Sequence, residues 1–156
     1  MKHSEVNWPP LIALGRRLVG KEYNFGAEVN LNDPDPDHIK ALDCSELTQW
    51  LSAQATSVDG KKIDLGVPDG SQNQAKVCQR VQGLSSEFPE KLLIWDFGFK
   101  WIPETKSIHH VGVYIGNDIV LEAKGRDFGI VLTPVIRFMA STHFAFWGRL
   151  KTLEDA

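Results

Sequence analysis

The chain has 156 residues, which suffices for one domain with a hydrophobic core and is too short for two ordinary domains. Hydrophobic residues make up 42% of it and charged residues 24%, and the net charge is −3, as in many soluble globular proteins. No cluster of Lys and Arg is interleaved with aromatic residues, so we expect no nucleic-acid binding. Two cysteines make no disulfide framework, and no stretch has the length and apolarity of a membrane span or a signal peptide.

The N-terminal part predicts a polar lead followed by an amphipathic helix. We interpret residues 1–10 as a loosely ordered lead and residues 11–156 as a single domain. From Leu11 to Val19, apolar residues recur on one side and basic residues lie on the other, as in a helix that packs on a core. Gly20 is suited to close that helix.

Two loops follow this helix. Tyr23 and Phe25 lie on the first one, and the sequence leaves open whether they pack in the interior or wall a substrate cleft. The second loop, residues 32–38, holds three Asp and two Pro, which excludes an α-helix or a central strand. We interpret it as a solvated turn rather than a cation site, because it lacks the turn glycine and the distal bidentate Glu of a calcium loop.

The next stretch, Asp43 to Leu47, reads Asp-Cys-Ser-Glu-Leu and opens a predicted helix from Cys44 to Val58. Asp43 is a natural N-cap, because its carboxylate can accept hydrogen bonds from the N–H groups of the first turn. Cys44 then lies in that turn, where the helix dipole and the N–H groups favour a thiolate. Cys44 is therefore either an activated nucleophile or, as is usual for a free cysteine, a small buried hydrophobe.

Beyond this helix the pattern changes from helical to extended. A polar helix is predicted from Ser71 to Gln82, and Cys78 in its middle is interpreted as structural, since it lacks a cap. The predicted strands cover residues 61–65, 92–95, 108–115, 119–123, 129–133 and 144–150. The order of helices and then strands predicts an α+β fold, with N-terminal helices packed on a central antiparallel sheet of about five strands.

A histidine and an acid are predicted to meet on two of these strands. His110 lies near the start of one strand, and Glu122 is a charged residue in the otherwise apolar return strand. A tight turn at Gly116–Asp118 places residue 110 and the residues near 122 at matching heights. By strand alternation His109 points to the opposite face, so His110 is the better candidate.

A thiol, a base and an orienting acid form the arrangement of nucleophilic acyl transfer. The alternative for the acid is a carboxylate at a strand edge that pairs with Lys124 or Arg126 and has no part in catalysis.

Three motifs together resemble the NlpC/P60 family of cell-wall cysteine peptidases. They are Asp43 to Leu47, His110 to Gly116, and Leu121 to Ala123. The resemblance extends over about residues 11 to 150, in the order and spacing of the family. It implies a papain-like α+β fold and hydrolysis of amide bonds in peptidoglycan stem peptides, commonly the D-γ-glutamyl–diamino-acid link.

The resemblance also implies a role for each residue of the site. Cys44 would be the nucleophile, His110 the base and then the acid, and Glu122 the group that orients the imidazole. The residues that would line the substrate pocket are Tyr23, Asp43 and Ser45. No cofactor is implied. No metal is expected either, because a site made of Cys44, His109, His110 and His143 lacks the short ligand spacings of metal motifs.

Two positions depart from the family pattern. Glu46 stands where the family has Gly, so its side chain either faces solvent or reshapes the cleft. Glu122 stands where His, Asn or Gln is more usual, although a carboxylate orients an imidazole well. Two other functions stay open, namely a non-catalytic binder with the same fold and a related thiol acyltransferase or hydrolase that acts on another amide.

The expected site of action is the cell wall or periplasm. Because the sequence shows no signal peptide, we expect delivery by a phage tail or a contact-dependent secretion system, or else a trimmed form of a longer protein. If the protein is a delivered toxin, a cognate immunity protein that plugs the cleft is expected as a partner.

Overall fold

The computed structural model describes residues 1–26, 28–81 and 91–154. In chain order its helices and strands are α1 (Trp8–Arg16), β1 (Glu22–Tyr23), β2 (Ala41–Leu42), α2 (Cys44–Ala53), α3 (Ser71–Lys76), β3 (Cys78–Arg80), β4 (Phe97–Ile102), β5 (Ser107–Tyr114), β6 (Ile119–Ala123), β7 (Ile130–Pro134), α4 (Val135–Met139) and β8 (Phe144–Leu150). Two short 3-10 helices lie at His3–Glu5 and Pro36–His38. None of the helices in this part of the chain has the length and apolarity needed to cross a membrane.

The centre of the fold is a six-stranded antiparallel sheet in the order β3-β8-β4-β5-β6-β7. The helix α2 packs against β5 and β6, and α4 packs against β6 and β7. The predicted α+β fold is therefore confirmed. The sheet has one strand more than expected, because β3 takes up residues that were predicted as helix.

Buried apolar side chains cover both faces of the sheet. The larger cluster joins α1 and α2 to one face, and a smaller one surrounds Phe138 of α4 on the other. The ring of Phe138 packs against Gly98 and Gly112, where an added Cβ would lie 2.5 Å and 3.1 Å from ring atoms. Close packing at these two glycines brings Phe138 to 6.2 Å from the ring of His110, measured between centroids.

The N-terminal residues differ from the prediction. Helix α1 begins at Trp8, with two prolines in its first turn, and it ends at Arg16. Trp8 stacks on Trp95 with ring centroids 5.6 Å apart, and Lys2 forms a parallel bridge with Glu154. The expectation that residues 1–10 form a loosely ordered lead is therefore wrong, because aromatic stacking and backbone pairing hold them on the rest of the chain.

The predicted helices are too long at their C-terminal ends. Helix α2 ends at Ala53 rather than Val58, since residues 56 and 57 form isolated bridges with other segments. Helix α3 begins after Gly70 and ends at Lys76, and its predicted last residue, position 82, lies outside the described residues. Cys78 therefore starts β3 and pairs with Leu150, instead of lying in the middle of a helix.

The apolar run at 92–95 is a turn rather than a strand. Asp96 accepts a hydrogen bond from the N–H of Leu93 at 2.8 Å, and Trp95 has a φ of 77°, so the chain bends here before β4 begins at Phe97. A short apolar run without periodicity indicates burial without fixing the backbone conformation. The predicted strand at 61–65 is likewise reduced to one bridge, between Thr56 and Lys62.

Candidate active site

The site begins at the N-terminus of α2, as predicted. Asp43 caps the helix, because its carboxylate accepts a hydrogen bond from the N–H of Glu46 at 2.8 Å. The same carboxylate accepts from the hydroxyl of Ser45 at 3.2 Å and from the N–H of Gly26 at 3.2 Å. These contacts fix Cys44 as the first helical residue, with 7% of its surface exposed.

The structure brings His110 and Glu122 together across β5 and β6. The two strands pair Val113 with Leu121, and beyond this pair the Nε2 of His110 lies 2.8 Å from the Oε1 of Glu122. Only 1% of the Glu122 side chain is exposed. Glu122 therefore points into the protein toward the imidazole, and it is not the strand-edge carboxylate of the alternative interpretation.

The other imidazole nitrogen of His110 is available to the thiol of Cys44. The side chain of Cys44 lies close enough to His110 to raise the pKa of its imidazole, and since Nε2 is engaged by Glu122, Nδ1 is the nitrogen that remains for the thiol. The Sγ of Cys44 also lies 3.9 Å from the carbonyl oxygen of His109. Thiol, imidazole and carboxylate thus form one continuous row.

The electrostatics of this row favour a charged imidazole. Burial by itself lowers the pKa of His110, but the hydrogen bonds with Cys44 and Glu122 outweigh burial and raise that pKa to about 9. Burial by itself raises the pKa of Glu122, yet the hydrogen bonds from His110 and Thr133, together with the nearby charge of Lys100, hold it below its ordinary value. The imidazolium and the carboxylate therefore stabilise each other in the interior.

A β-bulge places the neighbouring histidine. Lys100 on β4 pairs with His110, whereas Trp101 pairs with Ile108, so His109 is the extra residue of β5. Strict alternation, from which we expected His109 on the opposite face, therefore fails at this point. The ring of His109 is exposed at the site and meets the ring of His143 edge-on, with centroids 5.6 Å apart.

Two cavities meet at the row. The larger one, of about 620 Å³, contains Cys44 and Ser45 and carries the carboxylates of Asp43, Glu46 and Asp69; we call it the acidic cleft. The smaller one, of about 290 Å³, contains His110 and Glu122; we call it the basic cavity. The other polar side chains that line the basic cavity are Tyr23, Lys100, His109, Lys124, Ser141 and His143.

Solved structures with the same chain path include several NlpC/P60 proteins. NlpC2 from Trichomonas vaginalis superposes with a TM-score of 0.63 and 17% identity, over 90% of this chain and 44% of that chain. The P60 domain of an antigen from M. avium subspecies paratuberculosis superposes with a TM-score of 0.61 and 20% identity, over 92% of this chain and 93% of that chain. The peptidoglycan hydrolase RipB from Mycobacterium tuberculosis superposes with a TM-score of 0.57 and 23% identity, over 92% of this chain and 66% of that chain.

The chain has the NlpC/P60 fold. It spans less than half the length of the first of these proteins. No protein-family model matches the sequence, and the comparison with curated proteins gives no match. The similarity is thus one of fold, carried at sequence identities of 17 to 23% in these three cases.

The predicted substrate-binding residues lie at the acidic cleft of this NlpC/P60 fold. Asp43 and Ser45 line it from the start of α2, and both are nearly buried. Tyr23 is half-buried, packs against the main core and lines both cavities. Phe25 also lines the acidic cleft, and 78% of it is exposed, which fits a cleft wall better than interior packing.

Glu46 is buried close to Cys44 in the first turn of α2 rather than facing solvent. Its Oε1 accepts a hydrogen bond from the N–H of Asp43 at 3.1 Å and completes a capping box. Burial raises the pKa of Glu46 to about 7, and the negative charges of Asp43 and Asp69 add to this rise, although the backbone hydrogen bond opposes it. Where the NlpC/P60 motif has glycine, the cleft of this chain thus has a carboxyl group that titrates near neutral pH.

Two residues of the site, Lys100 and Thr133, escaped the sequence reasoning, and His143 was considered only as a metal ligand. All three lie on segments that come together only in the folded sheet. The one sequence feature that could have indicated a role for Lys100 is its charge in the otherwise apolar segment Phe97–Ile102. Its ammonium lies 4.5 Å from the centre of the Phe138 ring. Burial lowers the pKa of Lys100, and the charge of Glu122 opposes that shift.

The second cysteine lies away from the row. Cys78 is buried on β3, and burial, together with the negative charge of Asp96, raises its pKa to about 12. Over residues 1–26, 28–81 and 91–154, no group of three or more His, Cys, Asp or Glu side chains is arranged to hold a metal ion. The site therefore presents the chemistry of a single thiol beside a base.

Proposed function

We propose that this protein is a cysteine peptidase that hydrolyses amide bonds in peptidoglycan stem peptides. The observation that carries the proposal is the row of Cys44, His110 and Glu122, in which the Nε2 of His110 lies 2.8 Å from the Oε1 of Glu122 and the nearby thiol raises the pKa of the imidazole. A thiol paired with a base that is itself oriented by an acid can attack an amide carbonyl. The fold shared with a peptidoglycan hydrolase supports the class of substrate. The proposed bond is the D-γ-glutamyl–diamino-acid link.

The reaction follows from the protonation states of the row. His110 takes the proton of Cys44, and the thiolate attacks the carbonyl carbon to form a tetrahedral oxyanion. The N–H of Cys44, at the positive end of α2, is placed to stabilise that oxyanion. The C–N bond then breaks, and His110 gives its proton to the leaving amine.

Water completes the cycle. His110 removes a proton from a water molecule, the resulting hydroxide attacks the thioester carbonyl, and the C–S bond breaks. The products are a free carboxylic acid and the regenerated thiol. Glu122 stays ionised throughout, because its function is to keep the Nε2 proton in place and to stabilise the imidazolium.

Digestion of defined muropeptides tests the proposal. We expect the purified protein to release two products whose summed mass equals that of the substrate plus one water, with a new amino terminus on the diamino acid. The variant Cys44→Ala should be inactive, whereas Cys78→Ala, which removes a buried thiol away from the row, should keep nearly full turnover. Intact muropeptides after incubation with the wild type, or equal cleavage by Cys44→Ala, would refute it.

The proposed place of action is the cell wall, where the stem peptides are found. A delivery machine and an immunity protein stay predictions of the sequence.

A further inference from the structure

The basic cavity has a charge opposite to that of the acidic cleft. Two lysines, Lys100 and Lys124, and two histidines, His109 and His143, line it together with the hydroxyl of Ser141. Its one carboxylate, Glu122, is already bonded to His110 and Thr133. The two lysines of this cavity therefore face a space in which no carboxylate of the described lining residues is left to pair with them. Burial and the neighbouring positive charges lower the pKa of His109, so its imidazole serves as an uncharged donor at neutral pH.

Backbone contacts hold this lining in place. The carbonyl of His143 accepts from the N–H of Trp101 at 2.8 Å, which fixes the end of the segment before β8 against β4. The His143 ring meets that of His109 on the bulge of β5, and the ammonium of Lys124 lies 4.5 Å from the centre of the Phe128 ring. The cavity is thus formed by the ends of neighbouring strands rather than by one mobile loop.

The position of the cavity assigns it to one side of the scissile bond. His110 must protonate the leaving amine, so the leaving part of the substrate has to lie against His110. The basic cavity contains His110, and the acidic cleft contains Cys44 and Ser45, where the acyl part is bonded to sulfur. Tyr23 and His109 line both cavities, at the boundary between them. The leaving part therefore enters the basic cavity.

We infer that the basic cavity binds a free carboxylate carried by the leaving amine component of the substrate. A carboxylate accepts charge-assisted hydrogen bonds from imidazole and ammonium donors, and those are the groups that line the cavity. This inference rests on the proposed peptidase function and deepens it. The preferred substrates are amides whose leaving amine belongs to an acidic component, such as a diamino acid with an unamidated carboxyl group.

Matched substrates test the inference. Two stem tripeptides are compared that differ only in the terminal diamino acid, which carries a free carboxylate in one and a carboxamide in the other. We expect the wild type to favour the carboxylate by about tenfold in kcat/KM, mainly through a lower KM, because the contact is the same in the ground and transition states. Equal kcat/KM for the two tripeptides would overturn the inference while leaving the proposed function intact.

Variants of the lining residues test which side chains cause the preference for a carboxylate. Lys124→Met and His143→Ala each remove a donor from an exposed side chain of the cavity. Each should reduce the carboxylate preference by about threefold, a typical effect for a partly exposed charge pair, and the double variant should abolish it. Lys62→Met, which removes an exposed lysine outside both cavities, should leave it unchanged. A double variant that keeps the full preference would contradict the assignment.

A binding measurement keeps the test independent of turnover. The free diamino acid component, as carboxylate and as carboxamide, is titrated into Cys44→Ala while the imidazole resonances of His109 and His143 are followed by NMR. We expect the carboxylate to bind about tenfold more tightly and to shift both resonances. If neither tripeptide is cleaved but this difference is seen, the proposed function fails and the anion site stands. If the two forms bind equally, the anion site fails.

Discussion

Glu122 places a full negative charge in the interior, at a position where the resemblance would lead one to expect a neutral side chain. The charge persists because His110, Thr133 and Lys100 surround it. The same carboxylate helps to raise the pKa of His110 to about 9, so the imidazolium persists above neutral pH. Glu122 therefore helps to determine how much of the His110 imidazole is protonated.

Replacement of Glu122 should affect both rate and pH dependence. We expect Glu122→Ala to lower kcat/KM by about 10²–10³, within the range for loss of a positioned proton-transfer partner. Glu122→Gln should lower kcat/KM less, because its carbonyl oxygen can still accept a hydrogen bond from the Nε2–H of His110. In both variants the pKa of His110 falls below about 9, so the alkaline limb of kcat/KM moves to lower pH.

The measurement is the pH–rate profile of the three proteins on one muropeptide. Glu104→Ala, which removes an exposed carboxylate far along the β4–β5 turn, serves as the control and should leave the profile in place. Activity of Glu122→Ala within about twofold of wild type, with an unmoved alkaline limb, would show that Glu122 does not act on His110.

The two cysteines should differ in reactivity toward an alkylating reagent. Thiolates are the reactive form, and the pKa of about 12 for Cys78 leaves almost none at neutral pH. Cys44, which lies beside the imidazole of His110 at the start of α2, should therefore be labelled first when the reagent is limiting. Peptide mapping by mass spectrometry measures the order, and preferential labelling of Cys78 would contradict the assignment of the nucleophile.

At the scale of elements, the first turn of α2 combines helix capping with the lining of the acidic cleft. Asp43 accepts from the N–H of Glu46, and Glu46 accepts from the N–H of Asp43, so each side chain satisfies a backbone donor. Both carboxyl groups also face the cavity that holds Cys44. A change in the charge of Glu46 is therefore expected to change both the stability of the helix start and the electrostatic potential at Cys44.

Glu46 should make stability depend on pH. Its pKa in the folded protein, about 7, lies above its ordinary value of 4.5, so the folded state holds the extra proton between these values. The stabilisation is complete below pH 4.5 and is lost as the pH rises through 7. Glu46→Gln keeps the acceptor but cannot ionise. The free energy of unfolding of the wild type, relative to Glu46→Gln, should therefore fall by about 1–2 kcal/mol between about pH 5 and pH 8.

Urea unfolding of both proteins at the two pH values measures this difference. Asp64→Asn, a change at a surface carboxylate in the loop after α2, controls for general effects of removing a negative charge. If the difference in the free energy of unfolding between the wild type and Glu46→Gln is the same at both pH values, Glu46 ionises in the folded state as it does in the unfolded chain.

At the scale of the whole molecule, one buried ion pair joins the turn before β4 to β8. Arg149 donates from Nε and from one terminal nitrogen to the two carboxylate oxygens of Asp96, at 2.8 Å and 2.7 Å. Asp96 is 1% exposed and also accepts from the N–H of Leu93. The ion pair thus fixes the turn that places Trp95 in the core. Trp8 of α1 stacks on the ring of Trp95.

Removal of this buried charge should destabilise the fold. We expect Asp96→Asn to lower the free energy of unfolding by about 2–4 kcal/mol, because the positive charge of Arg149 then loses the carboxylate that compensates it in a poorly solvated place. The exposed pair of Arg17 and Asp37, at 3.1 Å with side chains 56% and 76% exposed, is the matched control. Asp37→Asn should change stability by less than about 0.5 kcal/mol. Equal losses in the two variants, measured by urea unfolding, would contradict the structural role of Asp96.

Local rules were sufficient for several features of the site. The cap on α2 depends on Asp43 and the residues directly after it, and the hairpin depends on the turn at Gly116–Asp118, where Asn117 and Asp118 have positive φ values of 53° and 59°. These features are determined within a few residues of sequence. The meeting of His110 with Glu122 followed from them, because a tight turn fixes the register of its two strands.

Other features depend on contacts between distant segments, and the sequence by itself did not determine them. The bulge at His109 arises in the pairing of β5 with β4, and the polar groups around it come from β4, β7 and the segment before β8. The ends of α1 and α2 were misplaced for the same reason, since aromatic stacking and backbone bridges outweigh local helix propensity there. The burial of Glu46 and the opposite charges of the two cavities were likewise decided only by tertiary packing, because side chains far apart in sequence create the low-dielectric surroundings and the charge balance that shift each pKa.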